Sequence, residues 1–190
     1  MPTEQFTARN KYWNLSQSVF DLHHRFFVLR NGLQLHYFTN VATTDPSPRQ
    51  SKTLVIFFHG FPDSSLLWRY VLESSLLRQN ATLVAVDLPG FGGSDNFPHY
   101  GATEVLESLT EFIVAMREQH LGVGDNDSGH GEGQDDKVFI AGHDWGCLLS
   151  YRLAAEAPCL ANRFILTNGP HVCVWFEALN SESNQLNRSH

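Results

Sequence analysis

The run Lys137-Val-Phe-Ile-Ala-Gly-His-Asp-Trp-Gly-Cys-Leu-Leu-Ser150 changes character at its midpoint. A β-forming apolar segment, residues 138–141, enters a tight turn, and a helical segment over 145–157 begins almost at once. The turn reads Gly142-His143-Asp144-Trp145-Gly146, which is the G-x-S-x-G elbow with aspartate where serine usually sits. Gly142 and Gly146 give room where the backbone doubles back. Asp144 between them is expected in strained φ/ψ with its side chain presented outward. The plainer alternative is an aspartate that only caps the following helix.

Outward from this turn the chain alternates strand and helix. Residues 24–40 read as a hairpin, with one strand over 26–29, the turn at Asn31-Gly32, and Leu33, Leu35 and Tyr37 alternating with polar neighbours on the return strand. Residues 53–58 form a continuous apolar run, as expected of a parallel strand covered on both faces. Residues 64–80 carry helical spacing at Leu67, Tyr70, Val71, Leu76 and Leu77. A strand is expected over 81–86, then a glycine-rich turn from Asp87 to Asp95. A helix over 101–121 shows Val105, Leu109, Phe112, Ile113 and Met116 on one side. One more strand is expected over 163–167. The pattern predicts an α/β protein with a largely parallel sheet. Residues 1–22 read as a surface loop or short helix and 43–52 as a polar link.

Composition narrows the function classes. At 190 residues the chain suits one domain, and 42% hydrophobic with 17% charged residues is ordinary for a globular fold. A net charge of −7 argues against nucleic acid and against anionic membrane surfaces. No apolar leader opens the chain and no run is long enough to span a bilayer, so a cytoplasmic setting is expected. Cys147, Cys159 and Cys173 show no C-x-x-C pair and no zinc spacing, and read as core or near-core thiols. His23 and His24 read as surface residues rather than ligands. The glycine- and aspartate-rich segment 122–136 begins like a calcium loop, but His130 stands where glycine should be and no glutamate closes it. It reads as a flexible insertion. Gly90 and Gly92 fit G-x-G, but Asp95 replaces the third glycine of a dinucleotide fingerprint.

Three motifs in order carry a family resemblance: His59-Gly-Phe-Pro62, Asp87-Leu-Pro-Gly-Phe-Gly-Gly-Ser94 and Gly142-His-Asp-Trp-Gly146. Together they resemble the α/β-hydrolase fold, and within it the soluble epoxide hydrolases and their dehalogenase relatives. The resemblance covers about residues 26–170. It implies that Asp144 is a nucleophile and that the backbone N–H groups of Phe61 and Trp145 form the oxyanion hole. It implies supporting roles for His59, Gly60, Pro62 and His143, with a cis bond possible before Pro62. Phe61, Trp145 and Trp68 are candidates for the substrate pocket; for Trp68, core packing is the equal alternative. No metal or organic cofactor is implied, and the substrate is a small apolar molecule, an epoxide or an organohalide. Dehalogenases hold halide with a tryptophan at the position of Trp145 and commonly an asparagine where Phe61 stands. Haloacid relatives generally carry arginine after the nucleophile. Both comparisons favour epoxides, with a dehalogenase as the alternative.

The resemblance also implies parts that are missing. In the family a helical cap with ring-opening tyrosines follows, then an acid and a base histidine after further strands. Here the chain stops at His190. His171 and His190 lack the strand-end context of a base, and all five tyrosines precede the cap position. The expectation is an N-terminal fragment: core over 1–170 with the insertion at 122–136, then cap linker or tail over 171–190. An exposed sheet edge at 163–167 should follow. Such a chain is expected to form the alkyl ester and hydrolyse it poorly, or to be a catalytically inactive fragment.

Overall fold

A computed structural model describes residues 22–42, 51–122 and 136–169. The leading segment, most of the link at 43–52, the glycine-rich insertion and the tail with His171, Cys173 and His190 lie outside the described residues.

Strands β1 (His23–Val28) and β2 (Gln34–Thr39) form the expected antiparallel hairpin, with Phe26 opposite His36. The ladder begins at His23 rather than at Phe26. His24, expected at the surface, is 2% exposed because it pairs with Phe38 and its ring packs against His36 and Phe38. Strands β3 (Thr53–Phe58), β4 (Thr82–Val86), β5 (Lys137–His143) and β6 (Arg163–Thr167) run parallel to one another. The sheet order is β1-β2-β4-β3-β5-β6, with β2 antiparallel to β4. Every residue of β4 is buried, which is why its sequence is a continuous run with no polar alternation. Among the described residues β6 pairs with β5 alone, and its side chains alternate between exposed and half-buried, as expected for an edge.

The segment expected as one helix over 64–80 is broken into a 3-10 turn (Ser65–Trp68), α1 (Arg69–Leu72) and α2 (Ser75–Asn80). A 3-10 turn has about three residues per turn, so the 3.6-residue phase read from the sequence is lost. Tyr70 and Leu76, expected inward, are each 71% exposed, while Leu66, Trp68, Leu72 and Leu77 face the sheet. Helix α3 (Ala102–Leu121) keeps its phase: Leu109, Phe112, Ile113 and Met116 are buried. Helix α4 (Trp145–Glu156) follows the elbow. The 3-10 turn Pro158–Leu160 turns Leu160 inward and leaves Cys159 exposed, contrary to the core position expected for it.

Alternating sheet residues divide the core. Leu54, Ile56, Phe58, Val84, Val86 and Ile140 join α3 and α4 in the larger cluster. Phe57, Leu83, Ala85 and Ala141 join α1 and α2 in the smaller one. Neighbouring strands β3 and β5 therefore send their connections to opposite faces of the sheet. A crevice opens outside their carboxyl ends at such a switch point.

Candidate active site

Asp144 stands at the carboxyl end of β5 with φ 53° and ψ −116°, a left-handed backbone that a non-glycine residue rarely adopts. Its side chain makes no capping bond to α4, so the capping alternative does not describe it. Instead its Oδ1 accepts a hydrogen bond from the Phe61 N–H at 2.9 Å. The other carboxylate oxygen has no hydrogen-bond partner among the described residues. The glycines are there for space. A Cβ on Gly142 would lie 2.5 Å from the Gly146 carbonyl oxygen, and one on Gly146 would lie 2.5 Å from that of Phe58.

Facing the elbow is the turn after β3. The Phe61–Pro62 peptide is cis. Gly60 passes so close to the elbow that a Cβ there would lie 2.5 Å from Asp144 Oδ1 and 2.8 Å from its Cγ. Trp145 is the first residue of α4, so its N–H is among those a helix leaves without an intrahelical acceptor. The structure thus brings Asp144, Phe61 and Trp145 together.

His59 braces this turn. Its Nε2 accepts from the Leu88 N–H at 2.9 Å, and its Nδ1 lies 2.7 Å from the Gly60 carbonyl oxygen. A ring nitrogen that accepts from an N–H carries no proton, so the proton sits on Nδ1 and is donated to Gly60. Burial pushes the His59 pKa down, against smaller upward effects of that bond and of Asp87 and Asp63. With both nitrogens occupied and the ring held neutral, His59 is a brace and not a free base. His143 lies beside the elbow, its Nε2 3.4 Å from the Asn168 side-chain nitrogen and its ring edge-on to Trp68.

The turn after β4 supplies the next wall. Asp87 is 1% exposed and accepts from His36 Nδ1 at 2.7 Å, the Ser65 N–H at 2.7 Å and the Gly93 N–H at 2.8 Å. Burial acts to raise its pKa. The His36 hydrogen bond and charge, with the two N–H donors, outweigh that and hold the carboxyl below the usual range. Ser94 Oγ donates to the Asp87 carbonyl and accepts from the His36 N–H, and Asp95 accepts from the Gln34 N–H. This lacing fixes the loop that carries Leu88 and Phe91.

Those two residues, with Phe61, Val105, Trp145 and Leu149, line a mostly apolar cavity of about 460 Å³ beside the elbow. Phe61 and Trp145, which flank Asp144, are 63% and 57% exposed. Trp68 is not part of the cavity. Its ring packs on Phe57 at 5.0 Å between centroids, in the smaller core on the other face of the sheet. Leu88, Phe91, Val105 and Leu149 were not expected as pocket residues. They come from three separate elements, and only the motif position of Leu88 and Phe91 hinted at the site. Among the described residues no three His, Cys, Asp or Glu side chains are grouped to hold a metal ion, and no helix is long and apolar enough to cross a membrane.

Comparison with known proteins agrees with this fold. The profile described as "Alpha/beta hydrolase family" matches residues 55–185. The chain is 26% identical over 192 aligned positions to "Epoxide hydrolase 2" of Caenorhabditis elegans, covering 97% of this chain and 46% of that protein. It is 30% identical over 159 positions to "Epoxide hydrolase 4" of Mus musculus, covering 84% of this chain and 38% of that one. Among solved structures it resembles epoxide hydrolase VrEH1 from Vigna radiata, with a TM-score of 0.58, 23% identity, and coverage of 79% of this chain and 39% of that chain. It also resembles the haloalkane dehalogenase DatA from Agrobacterium tumefaciens C58, with a TM-score of 0.53, 20% identity, and coverage of 77% and 41%. At those identities the structural likeness speaks for the fold. The chain spans less than half the length of these relatives.

Proposed function

The chain belongs to the alpha/beta hydrolase family, and from that membership we propose that it carries the nucleophilic half of an epoxide hydrolase site, with Asp144 as the attacking group. The observation that carries this reading is the Phe61 N–H on Asp144 Oδ1 at 2.9 Å, beside an open apolar cavity.

The hydrogen bond divides the two carboxylate oxygens by role. Oδ1 is engaged; Oδ2 is free to attack. Oδ2 adds to an epoxide carbon, the carbon–oxygen bond of the ring breaks, and the departing alkoxide takes a proton from water or a nearby acid. Oδ1 is then the carbonyl oxygen of an alkyl ester. When water adds to Cγ and gives up one proton to solvent, negative charge gathers on Oδ1, where the Phe61 donor already stands. The Trp145 N–H is the second donor. Collapse of that intermediate releases the diol and restores the carboxylate. No imidazole among the described residues bonds to Asp144, and His59 is held neutral by its own partners.

The epoxide reading is preferred over a dehalogenase. Both use the same carboxylate, but a departing halide calls for side-chain donors. Phe61 offers a hydrocarbon ring there and leaves the Trp145 indole alone. Intact mass after incubation with styrene oxide tests the proposal, beside Asp144→Ala. A gain of one substrate mass, mapped to the Asp144 peptide and absent in the variant, supports it. A folded chain that gives neither adduct nor diol overturns it in favour of a catalytically inactive fragment. Halide release from a haloalkane without epoxide opening would favour the dehalogenase.

A further inference from the structure

Cys147 plays no part in the chemistry proposed above, yet it is tied to both backbone hydrogen bonds of Asp144. It is fully buried in the first turn of α4. Its Sγ lies 3.1 Å from the Thr167 carbonyl oxygen and 3.2 Å from the Gly142 carbonyl oxygen, both within reach of a thiol donor. These carbonyls close the β5–β6 ladder, where Gly142 pairs with Leu166 and His143 with Thr167. The Thr167 carbonyl has a second donor, the Asp144 N–H at 3.2 Å. The Asp144 carbonyl in turn accepts from the Cys147 N–H at 2.9 Å. So one of the two backbone bonds on Asp144 comes from Cys147, and the other shares its acceptor with the Cys147 thiol. Gly169 completes the slot, since a Cβ there would lie 2.6 Å from the sulfur. Burial raises the Cys147 pKa, against smaller opposing effects of its backbone contacts, so the thiol keeps the proton it donates.

We infer that Cys147 is a positioning residue for Asp144: its S–H clamps the end of β6 to the elbow and keeps the Asp144 N–H on Thr167. A left-handed backbone at a non-glycine residue persists only where its surroundings over-determine it. The clamp supplies that constraint from the side chain as well as from the main chain. Its effect on chemistry rests on the nucleophile reading of Asp144; its effect on the elbow does not.

Amide hydrogen exchange, read by NMR on the full chain, tests the clamp in Cys147→Ala and Cys147→Ser. Without the donor, the Asp144 amide in Cys147→Ala is expected to exchange about tenfold faster than in wild type, with the amides of β3 and β4 unchanged. Serine keeps a donor and is expected to recover most of that protection. Wild-type exchange at Asp144 in the alanine variant overturns the inference. So does equal loss in both variants, which would assign the effect to packing. If the alanine variant does not fold, the serine variant decides alone, near-wild-type exchange supporting the clamp and tenfold faster exchange refuting it. As a second readout, ester formation with styrene oxide is expected to slow about tenfold in Cys147→Ala with half-saturation unchanged. A wild-type chain that forms no ester would defeat the nucleophile reading and leave the exchange experiment to judge the clamp.

Discussion

The Phe61 N–H donates to Asp144 Oδ1 across 2.9 Å, joining the turn after β3 to the elbow after β5. The contact depends on Gly60. A Cβ at that position would lie 2.5 Å from the same oxygen. Gly60→Ala must therefore push the two turns apart and take the donor with it. Loss of one oxyanion donor costs about 10²- to 10³-fold in rate. Ester hydrolysis in Gly60→Ala, followed by decay of the styrene oxide adduct, is expected to fall by about that factor. An adduct that decays at the wild-type rate would remove Phe61 from the oxyanion hole.

The brace formed by His59 has a consequence for acid stability. Its folded pKa lies below the ordinary 6.5, because burial disfavours the charged ring. Between those two values the unfolded chain binds more protons than the folded one, so stability rises with pH. The contribution is present above about 6.5 and is lost as pH falls through the folded pKa. Asp87 behaves alike in a lower window: its folded pKa lies under the ordinary 3.8, and its contribution is lost as pH falls from there. Thermal unfolding across pH 8 to 3 is expected to show both declines. His59→Gln removes the upper titration and should shrink the upper one, leaving the share of His120, whose pKa burial also lowers. An unchanged pH profile in that variant would contradict the assignment.

What was legible in the sequence follows from how each element is buried. β3 and β6 were read with their observed limits, and β4 to within one residue, because apolar runs of that length have few other uses in an α/β chain. α3 was legible because its buried face keeps a 3.6-residue period for 20 residues. The elbow was legible because Gly142 and Gly146 record a steric demand in the sequence itself. Residues 64–80 were misread because a 3-10 start and a break at Ser74 reset the phase. His24 was misplaced because nothing local says that a strand extends three residues earlier. The walls of the cavity were invisible for a different reason. Leu88, Val105 and Leu149 meet only through sheet order, which local periodicity does not encode.

The bond between His36 and Asp87 was equally hidden, since 51 residues separate them. Its removal should be among the most damaging single changes available. Asp87→Ala strips an acceptor from His36, from the Ser65 N–H and from the Gly93 N–H inside a closed site. Removing one partner of a buried pair costs about 3–5 kcal/mol. Urea unfolding is expected to show a loss of that order, whereas the exposed pair Arg152–Glu156 should contribute less than about 1 kcal/mol. A small loss at Asp87 would mean that water reaches the site and satisfies the three donors.

The cavity beside the elbow sets the last expectation. Its walls are mostly hydrocarbon, so it discriminates by shape and size rather than by hydrogen bonding. Leu149 lies in α4 one turn beyond Trp145, and Leu149→Trp would place an indole within the volume of about 460 Å³. A substrate with a large apolar arm then loses its site, while one with only a methyl substituent does not need it. The rate of ester formation with styrene oxide relative to propylene oxide is expected to fall about tenfold in that variant. Differences of a few methylene groups in an apolar pocket commonly produce effects of this size. Equal slowing of both substrates would instead indicate that the indole had disturbed the elbow through α4. Unchanged rates would place the apolar arm elsewhere, against the exposed rings of Phe61 and Trp145 rather than in the cavity below them.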